Sequence, residues 1–100
     1  MADVEVLLLP AFTRWLDGLR DRDGRKAIDA RLARLARGHW GDVRPVGDGV
    51  QELRIHAGPG YRVYLVRRGA RLIVVLAGGD KGSQARDIAA AKAAAADLDR

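Results

Sequence analysis

Arg54, His56, Arg62 and Tyr64 stand on two segments whose apolar residues recur with a period of two. Successive side chains of a strand point to opposite faces, so Leu53 and Ile55 share one face while Glu52, Arg54 and His56 share the other. Tyr61, Val63 and Leu65 oppose Arg62, Tyr64 and Val66 in the same way. The tight turn expected at Gly58-Pro59-Gly60 makes the two segments a hairpin and puts the four polar residues on one surface. Two guanidiniums, an imidazole and a phenol can together bind phosphate and move protons. Alternation alone describes a solvated sheet face about as well. Lys81, just past the next apolar segment, is expected to bring its ammonium over the same face. His39, beside Trp40 in a glycine-flanked loop, reads as structural.

The charge is placed to match. The chain of 100 residues carries 18 Lys plus Arg against 13 Asp plus Glu, a net charge of +5, and its pI is near 10.4. Fifteen of the basic residues are arginine, whose planar fork contacts phosphate in a way that lysine cannot match. Between Arg54 and Arg86 lie seven basic residues against Asp80 alone, which focuses potential toward an anion. With 48% apolar and 31% charged residues the composition is that of a folded domain rather than a basic tail. The length suits one domain over residues 1–100. The absence of cysteine removes disulfides, thiolate metal sites and cysteine nucleophiles, and two histidines are too few for a multi-histidine zinc site. Chemistry without metal or cofactor is therefore the expectation. The apolar run from Val6 to Phe12 is too short to span a membrane and follows no basic stretch, so neither a signal peptide nor a membrane segment is expected.

The elements that position these residues follow from periodicity. Val4, Val6 and Leu8 read as a first strand closed by Pro10. Phe12, Trp15, Leu16 and Leu19 form one helical stripe, and Asp21-Arg22-Asp23-Gly24 reads as a turn. A second helix carries Ile28, Leu32 and Leu35 inward with Arg31, Arg34 and Arg37 on its flanks, and Gly38 stops it. Residues 38–49 read as a loop holding at most a short strand at 43–46. Two alternating strands follow, then an apolar strand over residues 72–77 that belongs inside the sheet and breaks at Gly78-Gly79. A last helix, capped by Asp80 or Ser83, has Ile88, Ala91, Ala95 and Leu98 as its stripe. The expected fold is α+β in the order β-α-α-β-β-β-α: a small, mostly antiparallel sheet with a helical hairpin on one face and a C-terminal helix.

The ordered series Phe12-Thr13-Arg14-Trp15-Leu16, Ile28-Asp29-Ala30-Arg31-Leu32-Ala33-Arg34-Leu35, Gly47-Asp48-Gly49-Val50-Gln51-Glu52-Leu53-Arg54-Ile55, Gly60-Tyr61-Arg62-Val63-Tyr64, Gly78-Gly79-Asp80-Lys81-Gly82-Ser83-Gln84 and Asp87-Ile88 resembles the addiction-module killer proteins, HigB-like toxins of the RelE/ParE superfamily. The resemblance covers residues 10–98. It implies a RelE-like fold and a type II toxin that cleaves messenger RNA in the ribosomal A site and thereby inhibits translation. It also implies a helix-turn-helix antitoxin that neutralises the toxin in a hetero-oligomer, while the absence of cysteine fits a reducing, cytoplasmic location. Arg54 and His56 match strand positions where such nucleases place basic side chains, Arg62 matches the arginine near the scissile phosphate, and Lys81 matches the basic position after the last strand. These four are the catalytic candidates. Tyr64, Arg67, Arg68, Gln84 and Arg86 are the substrate-binding candidates, with Tyr64 stacking on a base or assisting proton transfer. RelE-type enzymes use a late tyrosine, but no tyrosine follows Tyr64, which leaves His56 and Lys81 as alternative general bases.

Two other classes compete with the nuclease. A ParE-like toxin would bind DNA gyrase without cleaving RNA, and a basic nucleic-acid-binding module would have no toxicity. The placing of His56 between two arginines favours the nuclease, because a pure binder needs no titratable group there.

Overall fold

The computed structural model describes residues 4–100. Met1 to Asp3, part of the expected domain and of the stretch before the first apolar run, lie outside the described residues. The elements run in the order β1 (Glu5–Leu8), α1 (Pro10–Asp17), α2 (Arg22–Ala36), β2 (Val43–Gly47), β3 (Val50–Ile55), β4 (Tyr61–Arg68), β5 (Leu72–Asp80), a 3-10 turn (Lys81–Ser83) and α3 (Gln84–Leu98). The α+β architecture is as expected, and the short strand at 43–46 is real: it is β2, an edge strand. The sheet order is β1-β5-β4-β3-β2, with β1 parallel to β5 and every other pair antiparallel. Pro45 sits on β2, where an edge strand tolerates a residue without an N–H.

Helices cover both faces. Leu53, Ile55, Tyr61, Val63, Leu65, Ile73 and Val75 pack with Phe12 and Leu16 of α1 and Ile28 and Leu35 of α2. Val50, Tyr64, Val66, Val74 and Leu76 pack against Ala91 and Ala95 of α3. The face expected to be open to solvent is therefore roofed by α3, and alternation of polar residues there has another cause. Leu98, expected in the α3 stripe, is 40% exposed.

The segment from Asp21 to Gly24 starts α2 rather than forming a separate turn. Asp21 is the N-cap and accepts from Gly24 N–H at 3.0 Å. The same carboxylate accepts from the Tyr61 hydroxyl at 2.9 Å, which ties the start of β4 to the start of α2. The Gly24 N–H and then the Tyr61 hydroxyl hold the Asp21 carboxyl below its ordinary value of 3.8. A depressed folded-state pKa contributes stability above the unfolded value, lost as pH falls through the folded one. Thermal midpoints between pH 7 and pH 2 are thus expected to fall on the acid side. Asp21→Asn, which keeps a capping side chain, should flatten part of that limb, whereas Asp21→Ala should lower the midpoint at every pH. An acid limb unchanged in Asp21→Asn would remove Asp21 from the account.

Gly78 and Gly79 do not break the last strand, which runs through both to Asp80. Their function is close approach. A Cβ at Gly78 would collide with the Trp15 ring on one face, and one at Gly79 with the Asp87 carboxylate on the other. Trp15 in turn lies tilted against Phe12 at 5.8 Å and meets Tyr61 edge-on at 6.1 Å. Beyond the strand, Asp80 accepts from Gly82 N–H at 2.8 Å and Ser83 closes a reciprocal cap, so the chain turns directly into α3. That geometry delivers Lys81 to the end of the β3–β4 hairpin.

Candidate functional site

In the β3–β4 register Arg54 stands opposite Arg62, and Glu52 opposite Tyr64. Directly opposed like charges repel across an antiparallel pair. Each arginine has its own carboxylate to offset this. Asp42, in the loop before β2, accepts from Arg54 Nη2 at 2.8 Å and Nε at 3.2 Å. Glu52, fully buried on β3, lies 4.0 Å from Arg62 Nη1.

Asp42 does a second thing. Its other oxygen meets His56 Nε2 at 2.5 Å. The His56 hydrogen bond, followed by that of Arg54, holds the Asp42 carboxyl below its ordinary value, so it is an anion at neutral pH. A neutral imidazole that donates Nε2–H to this carboxylate carries its lone pair on Nδ1, and the His56 side chain is 74% exposed. Sequence reasoning missed Asp42, because nothing local distinguishes one aspartate in a glycine-flanked loop.

The loop is held from below. Arg31, read as a flanking residue of α2, is buried, and its guanidinium donates to Arg54 O at 2.7 Å, Trp40 O at 2.9 Å and Asp42 O at 3.3 Å. Arg54 N–H also donates to Asp42 O at 2.9 Å. Three carbonyls from two segments converge on one planar donor set, which fixes Asp42 relative to the end of β3. His39 is exposed, and its N–H closes the last turn of α2 on Arg34 O at 3.0 Å.

Arg54, His56, Arg62 and Lys81 line one open groove of about 450 Å³, floored by Ala57, Gly58, Pro59 and Gly60. Lys81 is exposed and has no carboxylate within 4 Å among the described residues. The positive field of the groove thus comes from two part-neutralised arginines and one open ammonium. Among the described residues no three His, Asp or Glu side chains converge as a metal-ligand set would.

The five substrate-binding candidates do not gather there. Tyr64 is 0% exposed beneath α3, so no base can stack on it. Burial and the facing Glu52 carboxylate push its phenol above the ordinary range, which removes it from proton transfer at neutral pH. Its hydroxyl and the Arg62 Nε are both buried without a hydrogen-bond partner among the described residues. Gln84, at the start of α3, spends its amide on Glu52 Oε2 at 2.9 Å. Arg67 and Arg68 lie at the other end of β4, about 17 and about 20 Å from Arg62 by strand rise. Arg68 is paired with Asp99 at 3.2 Å. Arg86 is exposed on the first turn of α3, near the groove's end of the molecule but outside its lining.

The chain is thus a small mixed sheet roofed on both faces, with a basic groove at one end of a hairpin. The model of the family described as Phage derived protein Gp49-like (DUF891) matches residues 14–99, and the chain belongs to that family, a toxin-like family related to the RelE/HigB superfamily. A curated protein of Haemophilus influenzae (strain ATCC 51907 / DSM 11121 / KW20 / Rd), named "Uncharacterized protein", is 41% identical over 95 residues, covering 95% of this chain and 96% of its own length. No solved structure matches the chain. No helix among the described residues is long and apolar enough to cross a membrane.

Proposed function

We propose that the chain is the toxin of a type II toxin-antitoxin pair and cleaves messenger RNA at the ribosome, without metal, by attack of the 2′-hydroxyl on the adjacent phosphorus. The observation that carries this reading is the meeting of Arg54, His56, Arg62 and Lys81 around one groove, with Asp42 bonded to His56. RNA brings its own nucleophile, so the protein need only align it, take its proton, stabilise charge and protonate the leaving oxygen.

His56 Nδ1 accepts the 2′-hydroxyl proton while Asp42 stabilises the imidazolium that forms, as a carboxylate does for a catalytic histidine. Arg62 and Arg54 donate to the phosphorane oxygens, each worth about 10²–10³ in rate when well placed. The Lys81 ammonium meets the departing 5′-oxygen and supplies its proton. The products are a 2′,3′-cyclic phosphate and a 5′-hydroxyl. An antitoxin carrying complementary charge would associate fastest at low salt.

The test is cleavage of messenger RNA in a translating extract, with the new ends analysed chemically. Fragments ending in 2′,3′-cyclic phosphate are expected with the natural chain. Asp42→Asn should lower the rate about 10-fold or more at unchanged KM, because it orients the imidazole without stabilising its charge. Intact messages together with gyrase-dependent chromosome breaks would overturn the nuclease and favour the gyrase inhibitor.

A further inference from the structure

The cleavage groove occupies one end of the β3–β4 hairpin. At the other end lies a second open groove, of about 340 Å³, lined by Trp40, Val43, Gly49, Gln51, Arg67 and Arg68. Gln51 and Arg67 lie on the sheet face of α1 and α2: Gln51 pairs with Leu65, and Arg67 with Ile73, both members of that core.

The lining has a specific chemistry. Trp40 is half-buried, with part of its indole packed on the α1/α2 core and the rest facing the groove. Arg67 is exposed and donates only to carbonyls of its own turn, Gly69 O at 3.2 Å and Ala70 O at 3.3 Å; no carboxylate of a described residue lies within 4 Å of it. Arg68 is already committed to Asp99. Gly49 leaves the mouth open, since a Cβ there would meet nothing within 4 Å. A flat indole, an amide with both donor and acceptor, and a guanidinium without a carboxylate partner match the three parts of a nucleotide in a single strand: base face, base edge and phosphate.

We propose that this groove is a second RNA subsite, in which Trp40 stacks on an unpaired base, Gln51 bonds its edge and Arg67 holds its phosphate. The subsite rests on the reading of the chain as an RNA-cleaving toxin, and it adds a rule of position. The Arg31 guanidinium holds both Trp40 O and Asp42 O, so the base platform and the Asp42–His56 pair are fixed relative to each other. The base held at Trp40 therefore sets which bond of the strand reaches His56.

The experiment measures binding by fluorescence anisotropy of a labelled single-stranded RNA whose 2′-hydroxyls are all methylated, so that it cannot be cleaved. Trp40→Ala is expected to weaken binding about 5- to 100-fold, the range for one base–aromatic stack, and Trp40→Phe to retain most of the affinity. Arg67→Glu should weaken it too, with no change in the urea midpoint, because Arg67 is exposed. With cleavable RNA the loss should fall on KM rather than kcat. Natural affinity in Arg67→Glu, or in a folded Trp40→Ala, overturns the subsite even if cleavage proceeds as proposed. Natural RNA affinity in both variants with lost binding of a protein partner overturns it as well and makes the groove a protein-docking surface. Tryptophan-dependent RNA binding by a chain that cleaves no RNA would uphold the subsite and remove the nuclease reading instead.

Discussion

Replacing His56 with alanine is expected to lower RNA cleavage by about 10²–10⁴-fold, the usual worth of a positioned general base, and to leave the urea midpoint of unfolding unmoved. The two halves of this expectation come from the same geometry. His56 follows the last residue of β3, its side chain is 74% exposed, and its one hydrogen bond goes to Asp42. Removing the imidazole empties no core volume and leaves Asp42 bonded to Arg54 at 2.8 Å. A surface change of this kind stays within about 0.5 kcal/mol. Leu53→Ala supplies the contrast, since Leu53 is 0% exposed and the change should cost about 2–5 kcal/mol while lowering activity only through the folded fraction. A folded His56→Ala chain that cleaves at the natural rate would take the proton from His56 and leave Lys81 as the remaining candidate base.

Periodicity made the framework legible and left the site half drawn. Alternation over β3 and β4 located both strands and put Arg54 and Arg62 on one face, because the side-chain period of a strand is two whatever covers it. The same period cannot tell a solvated face from one roofed by a helix. Glu52, Arg62 and Tyr64 therefore read as solvent-facing, although α3 lies over them. The stripe of α3 was legible, and Ala91 and Ala95 do pack on the sheet, but the stripe does not say which face of the sheet the helix covers. Gly78 and Gly79 read as a break by the ordinary habit of glycine in strands, while the close approach of Trp15 comes from a helix far away in the chain and that of Asp87 from the way α3 folds back over the strand. Asp42 and Arg31 are the same case: each acts through partners nine or more residues distant, which no local pattern encodes.

Glu52 carries the second large expected effect, one on both stability and cleavage. Its side chain is 0% exposed between the sheet and α3, and three residues from three elements address it: Arg44 Nε of β2 donates to Oε1 at 3.0 Å, Gln84 Nε2 of α3 donates to Oε2 at 2.9 Å, and Arg62 Nη1 of β4 lies 4.0 Å from Oε1. A buried ion pair need not stabilise a protein relative to apolar residues, but removing one partner strands the other, at about 3–5 kcal/mol. Arg44, half exposed, can turn to water; Arg62, only 13% exposed and already without a partner for its Nε, cannot. Glu52→Ala is therefore expected near the lower end, at about 3 kcal/mol. Glu52→Gln should cost less, because the shape is kept and the bonds to Arg44 and Gln84 can persist. Cleavage should fall further in Glu52→Ala than its folded fraction explains, since the carboxylate beneath Arg62 is what holds that guanidinium at the groove. The double variant Glu52→Ala with Arg62→Ala separates pairing from packing: a stranded guanidinium predicts that the double change costs less than the sum of the two single changes. Urea midpoints and cleavage rates of the four variants decide it, and additive costs, or a Glu52→Ala chain as stable as the natural one, would mean that Glu52 neither holds Arg62 nor anchors α3.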